Sequence, residues 1–387
     1  MSDSDDTRRE AMRELEESRG SRLIAYFLGD RYPFRAQIAE DAVRPFYEHL
    51  KDLQFETRRK TVDLFLYGRG GSAAAAARIV GLLRDFADEV DVLIPYKCHN
   101  AASLMAMGAD RILMGPLGEL TAVDPCVGED RLSTGGLQTE PMRLAGDLKA
   151  FLSMLKSTVR SEEHSALSRG ALALSQGMDA AEMGAVQRVA SHFSPMARNL
   201  LAARREKLSE QEMRRIIDAM TEKLDPHLSR IDRSEAKEIG LKLQSPKPEW
   251  EEPMDTLFRE YERALRLNDP ISPEAEMEAI IDAKNTENIP LAILESGDHR
   301  HVFRASLALR KIRRIPAEPE INVNLSMKLA PEPDPERFSA EMRTLLGNLK
   351  KQAQRNIHSL VQREIQRQSP VVDVQISLYD GRWVEEG

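Results

Sequence analysis

Four side chains with chemical potential crowd one short stretch, Ile94-Pro-Tyr-Lys-Cys-His-Asn-Ala-Ala-Ser-Leu-Met-Ala-Met-Gly-Ala-Asp110: the thiol of Cys98, the imidazole of His99, the carboxamide of Asn100 and the hydroxyl of Ser103. Val90 to Pro95 reads as a buried strand and Ala101 to Ala109 as a small-residue helix, so the residues between form a strand-to-helix turn. A side chain at the start of such a helix sits beside unpaired backbone N–H groups and the positive end of the helix dipole, where a developing oxyanion is stabilised. Asn100 holds that place. A carboxamide has neither the pKa nor the lone pair of an ordinary nucleophile. Cys98, two residues earlier, is a substitute nucleophile if it faces the same cleft and an inert buried thiol otherwise. Ser103, one helical turn inside, is either a second substitute or a packing hydroxyl. His99 reads as a ring that fills the turn or bonds to backbone.

Upstream, Leu64-Phe-Leu-Tyr-Gly-Arg-Gly-Gly-Ser-Ala-Ala-Ala-Ala-Ala-Arg78 places glycines directly after a strand. Gly70 and Gly71 are candidate oxyanion donors, because glycine lets backbone N–H groups approach a carbonyl closely; a tight turn is the alternative reading. The loop lacks the Gly-Lys-Ser/Thr ending of a phosphate-binding loop and is not a dinucleotide fingerprint, which disfavours phosphate ligands. His299 and His301 have a spacing that can place two rings on one strand face, but no third ligand stands at a defined distance, and a solvated loop is the expectation. Glu162-Glu163 and Glu251-Glu252 carry no glycosidase pattern. No metal and no cofactor is implied.

The elements that must position these residues alternate. Arg22–Leu28, Thr61–Tyr67, Val90–Pro95 and Arg111–Met114 read as strands, and Ala36–Leu53, Ser72–Phe86 and Ala101–Ala109 as helices, the rhythm of βαβ units on a mainly parallel sheet. Ligands bind beyond the carboxyl ends of such strands, where both the glycine loop and the Asn100 turn fall. Residues 1–20 read as a polar, helix-prone arm. From Met142 the pattern is helical: Met142–Arg160, Asp179–His192, Pro195–Lys207 and Glu210–Leu224, then a short capped helix over Ser234–Gly240. The proline- and charge-rich segment Gln244–Pro253 is the expected boundary between a domain over 21–245 and an α+β accessory region over 246–387. That region holds helices over Met254–Leu267 and Pro273–Ala283, strand candidates at Pro290–Glu295, Glu320–Leu329 and Val371–Leu378, and one amphipathic helix, Phe338–Gln368, a candidate oligomerisation element.

Composition narrows the classes. The 387 residues are 41% hydrophobic and 30% charged with net charge −8, enough to bury a sizeable core and without the basic surface that nucleic acid requires. A charged start and the lack of any long apolar run predict neither a secretory signal nor membrane insertion, and a cytoplasmic location is expected. Two cysteines, Cys98 and Cys126, exclude a disulfide framework and a Cys-x-x-Cys zinc site.

Taken in order and spacing, Leu66-Tyr-Gly-Arg-Gly-Gly71, Pro95 before an Ala-rich helix, Ala106-Met-Gly-Ala-Asp-Arg-Ile-Leu-Met-Gly115, Leu117–Pro125 with its Val-Asp-Pro, and Glu235-Ala-Lys-Glu-Ile-Gly-Leu241 resemble the Clp protease/crotonase superfamily, and within it the serine dehydrogenase proteinase and signal peptide peptidase A families. The resemblance covers residues 20 to 245. It implies an α/β fold of stacked ββα units, a peptide or protein ligand bound beside a strand edge, an oxyanion hole from Gly70, Gly71 and the Ala101 amide, and homo-oligomers. These families place a serine where this chain has Asn100. A Clp-type histidine base has no counterpart near Val123-Asp-Pro-Cys126. The lysine base of signal peptide peptidase-like enzymes would fall at Lys149 or Lys156, with His227 as a further candidate. The expectation is a peptidase-family protein impaired in catalysis; an active hydrolase using Cys98 or Ser103, and a crotonase-like acyl-CoA enzyme, are the alternatives.

Overall fold

Apolar runs without alternation make strands that are buried on both faces, and four of them build the centre of the protein. In the computed structural model β1 (Arg22–Leu28), β2 (Thr61–Tyr67), β3 (Glu89–Ile94) and, after the two-residue β4 (Lys97–Cys98), β5 (Arg111–Met114) lie parallel in the order β1-β2-β3-β5, with Ala25 beside Phe65, Phe65 beside Leu93 and Leu93 beside Leu113. A second, three-stranded sheet stacks β4 with β6 (Glu119–Thr121) and, beyond the short pair β7 (Cys126–Val127) and β8 (Arg143–Leu144), with β9 (Arg230–Ile231). Strands β10 (Ala283–Ser296), β11 (His299–Arg313) and β12 (Val371–Glu385) extend the central sheet from β1 to seven strands, with β10 antiparallel to β1. The described residues are 3–53, 60–123, 126–127, 143–144, 180–223, 230–278, 282–297, 299–314 and 340–386.

The helices are α1 (Asp3–Arg19), α2 (Val43–Asp52), α3 (Ala73–Phe86), α4 (Ala101–Met107), α5 (Ala180–Ala202), α6 (Glu210–Asp218), α7 (Arg233–Ile239), α8 (Pro248–Ala264), α9 (Pro273–Met277) and α10 (Ala340–Gln368). The chain forms two compact units. One comprises 1–271, 286–307 and 378–387; the other comprises 272–285 and 308–377 and carries α9 and α10. Gln244–Pro253 therefore runs inside the first unit, where Trp250 and Met254 of α8 join the core. Phe27 stacks on Tyr67 with centroids 4.3 Å apart, and Phe258 and Tyr261 of α8 close over them.

The first twenty residues are more than a polar arm. Ala11, Met12 and Leu15 of α1 are buried, and so is Arg8, whose guanidinium meets Glu295 at 2.7 Å while Tyr261 donates its hydroxyl to the same carboxylate at 2.8 Å. A second buried ion cluster ties the strands together: Arg19 reaches Asp63 on β2 and Asp91 on β3, the latter also held by Arg111. The expected helix over Ala36–Leu53 begins only after a 3-10 turn at Glu40–Ala42, because Ile38 pairs its backbone with Gly71 and is held extended. Asp179–His192 and Pro195–Lys207 merge into α5, which carries Pro195 in its interior. Of the expected helix at Met142–Arg160 only 143–144 are described, and they pair with 126–127 as strand β8 instead; the rest of it and the strand at Glu320–Leu329 lie outside the described residues.

Candidate functional site

Two loops meet at the carboxyl ends of β2 and β3, and backbone bonds lock them together. Gly68 N–H donates to Lys97 O at 2.9 Å, and His99 N–H returns a bond to Gly68 O at 2.9 Å. On its other side the turn is fixed by β6, which runs parallel to β4, and the Asn100 N–H donates to Thr121 Oγ1 at 2.9 Å. Asn100 caps α4 with φ 50° and ψ −115°, a backbone conformation that L residues rarely adopt. The backbone thus makes a sharp, strained turn from β4 into α4 at Asn100.

The glycine loop fits against it. Gly70 (φ +123°) and Gly71 (φ +138°) both need glycine's freedom. A Cβ on Gly71 would lie 2.3 Å from Ile38 O, so the strand-like pairing of Ile38 with this loop depends on its absence. Ile38 N–H donates to Gly70 O at 2.9 Å and Ser72 N–H donates to Ile38 O at 2.8 Å. Between those two bonds the Gly71 N–H makes no backbone hydrogen bond among the described residues, and neither does the Ala101 N–H at the start of α4. The Asn100 side chain packs over Gly70, its Nδ2 3.5 Å from where a Cβ would stand.

The other sequence candidates separate. Ser103 is fully buried; its hydroxyl donates to Cys98 O at 2.6 Å and accepts the Thr121 N–H at 3.1 Å, which makes it a brace between α4, β4 and β6. Cys98 is also fully buried, and burial pushes its thiol up, away from the thiolate. Lys149, Lys156 and His227 lie outside the described residues.

The partners of the remaining side chains, Glu119 and Asp30 among them, carry no signal in the sequence. His99 bonds through Nε2 to Glu119 Oε1 at 2.8 Å, not to backbone; burial takes its pKa down to about 4 despite that carboxylate, and Arg230 pairs with the same Glu119. In the loop after β1, Asp30 accepts from Lys97 Nζ at 2.8 Å and Tyr67 OH at 2.7 Å, with Arg69 at 3.4 Å. Burial alone would raise the Asp30 pKa, but the bonds from Lys97 and Tyr67 outweigh it and hold the carboxyl below its usual range. These groups come from β2, β4, β6, β9 and the loops that follow β1, β2 and β4, a convergence that no spacing rule within one element can find. Among the described residues no cluster of histidine, cysteine and carboxylates suits a metal ion.

Residues 2–134 match the family described as ClpP-like SDH-type serine proteinase. The mostly parallel centre of the sheet and its helices are consistent with a ClpP-like fold. The chain is also similar to two uncharacterized proteins of Methanocaldococcus jannaschii. It is 29% identical to MJ1495 over 126 residues, which covers 30% of this chain and 41% of that one. It is 30% identical to MJ0137 over 82 residues, which covers 21% and 29%. The chain thus spans less than half the length of either relative. Among solved structures it is similar to a mutant of the 1510-N membrane-bound stomatin-specific protease, at 20% identity and TM-score 0.22 over 31% of this chain and 57% of that chain. No helix among the described residues is long and apolar enough to cross a membrane.

Proposed function

We propose that this chain binds peptide or protein ligands in a Clp-class groove whose nucleophile position is filled by Asn100, and that ordinary serine-peptidase turnover is lost or severely reduced. One observation carries the reading: Asn100 occupies the elbow with a strained φ and ψ, its side chain against Gly70. A non-glycine residue held there costs about 1–3 kcal/mol, and the loops around it must supply that energy. The carboxamide can donate its N–H to a bound carbonyl while the amides of Gly71 and Ala101 receive the same oxygen. Binding geometry is thereby kept where the reacting atom is absent.

The relocated-nucleophile reading has less support. The Ser103 hydroxyl is committed to Cys98 O, and the Cys98 thiol is sealed from solvent. Lys149 and Lys156 stay as proposed partners for a restored hydroxyl. Homo-oligomerisation is proposed from the same family likeness, since ClpP-like proteases are generally oligomeric and act on peptides.

The experiment is Asn100→Ser with a fluorophosphonate probe and peptide mapping, alongside anisotropy with fluorescein-labelled casein peptides. The natural chain is expected to bind the peptides, to hydrolyse none, and to carry no adduct between residues 98 and 103; Asn100→Ser is expected to gain an adduct at residue 100. Casein hydrolysis by the natural chain, with an adduct at Ser103 or with a thiol sensitivity abolished by Cys98→Ala, overturns the reading. Binding of acyl-CoA without peptide binding overturns it in favour of the crotonase-like alternative.

A further inference from the structure

A chain of side chains away from the Asn100 elbow has the order of a serine–base relay. Ser296 closes β10, and its Oγ lies 2.6 Å from His49 Nδ1 on α2. His49 Nε2 is 3.0 Å from Nδ1 of His301 on β11, and His301 Nε2 is 3.4 Å from Glu48 Oε2. His301 therefore does not sit in the solvated loop its sequence spacing suggested. It is buried, as are His49 and Ser296.

The carboxylate at the end of the chain favours one arrangement of protons. Glu48 is an acceptor only and stands 3.4 Å from His301 Nε2, so the tautomer with Nε2–H is the favourable one, and it leaves His301 Nδ1 as an acceptor. His49 must then donate through Nε2–H, which leaves His49 Nδ1 bare and facing the Ser296 hydroxyl. The hydroxyl proton points at a base whose far side is oriented by a second ring and a carboxylate, the logic of nucleophile, base and orienter. Burial supports the same state, since it takes the His49 pKa down to about 3 and keeps the ring neutral.

The pair is rigid and has space beside it. Glu295, next to Ser296, is hydrogen-bonded to Arg8 and Tyr261 and pairs with Ala25 across β1 and β10, which fixes the end of the strand. Gly297, with φ +52°, then turns the chain into β11. A cavity of about 220 Å³ opens on Ser296 and His49, with Arg22, Glu16, Asp52 and His299 around it. That volume lies below the roughly 300 Å³ at which drug-sized ligand sites begin, and the rim is charged, so it suits a small polar ester rather than a peptide.

We propose that Ser296 and His49, ordered by His301 and Glu48, form a second nucleophile–base pair that takes a small carboxylic ester in this cavity. Ser296 Oγ bonds to the ester carbonyl carbon as its proton moves to His49 Nδ1. The carbon–alkoxide bond then breaks, and the departing alcohol carries that proton away. Water, deprotonated by His49 in turn, releases the acid and restores the serine. This site is independent of the Asn100 groove and of its proposed role.

The test is labelling of the full chain by diisopropyl fluorophosphate, with the adduct located by peptide mass mapping. We expect an adduct at Ser296, none at that peptide in Ser296→Ala, and labelling about 100-fold slower in His49→Gln. Absence of the Ser296 adduct from the natural chain, or an unchanged rate in His49→Gln, overturns the proposal. Because changes at His49 can disturb folding, the half-exposed Glu48 gives a second test: Glu48→Gln should slow labelling at neutral pH while Glu48→Asp keeps it, whereas equal rates in the natural chain and both variants overturn the relay.

Discussion

A Cβ placed on Gly70 would stand 2.9 Å from the Cβ of Asn100, closer than two non-bonded carbons can rest. The glycine loop and the elbow are therefore fitted to each other to within one methyl group. Gly70→Ala must open that contact and also hold φ at +123°, and Gly71→Ala meets the Ile38 carbonyl in addition. Each should lose at least about 1–3 kcal/mol of stability from backbone strain alone, with Gly71→Ala the worse of the two. Urea unfolding measures both, and equal midpoints to the natural chain would refute the fit.

Ser103 offers a sharper separation of structure from chemistry. Replacing it by alanine leaves Cys98 O and Thr121 N–H without their buried partner, a loss of roughly 1–3 kcal/mol. If the hydroxyl is a brace and no more, Ser103→Ala lowers the urea midpoint while casein-peptide affinity at a temperature well below unfolding stays the same. An unchanged midpoint with altered ligand affinity would give Ser103 a part in the groove instead.

The parallel strands are legible in sequence because burial on both faces makes them nearly continuous apolar runs, as in residues 64–67, and the elbow is legible because Pro95 and the alanines bracket it. Burial that rests on charge is not legible. Helix α1 reads as a solvated arm since the buried partner of its Arg8, Glu295, lies 287 residues away. Ile38 reads as helical from local spacing, yet its backbone is claimed by Gly71. His49 and His301 are 252 residues apart, and periodicity within an element says nothing about such a pair. Asn100 was found because a resemblance marked its position; the His99–Glu119 contact carried no signal of its own.

Arg19 bridges Asp63 and Asp91, two carboxylates buried on adjacent parallel strands. Arg19→Met removes the cation but leaves both carboxylates in place, which should cost about 3–5 kcal/mol, the range for a buried ion pair broken from one side. Adding Asp63→Asn should recover part of that loss, because the stranded charge is then gone. Chemical denaturation of the two variants decides it: a double variant no more stable than Arg19→Met would mean that the lost packing of Arg19 on the Trp250 ring, 4.8 Å away, is the larger effect.

Acid should loosen the protein through its buried neutral histidines. His49 and His99 have pKa values brought down by burial from 6.5 to about 3 and about 4, respectively. As pH falls below 6.5 the unfolded chain takes up protons at these rings and the folded chain does not, so stability is fully present above pH 6.5 and is lost as pH falls toward 4 and then 3. Each ring contributes a slope of at most about 1.4 kcal/mol per pH unit in that window. Raised carboxylates such as Glu16 and Asp91 act with the opposite sign, so the comparison must be between variants. His99→Gln, which has no proton to gain, should show a shallower fall in urea-measured stability between pH 6.5 and 4.5 than the natural chain. Parallel curves would mean that His99 is already charged in the fold, held so by Glu119 against the pull of burial.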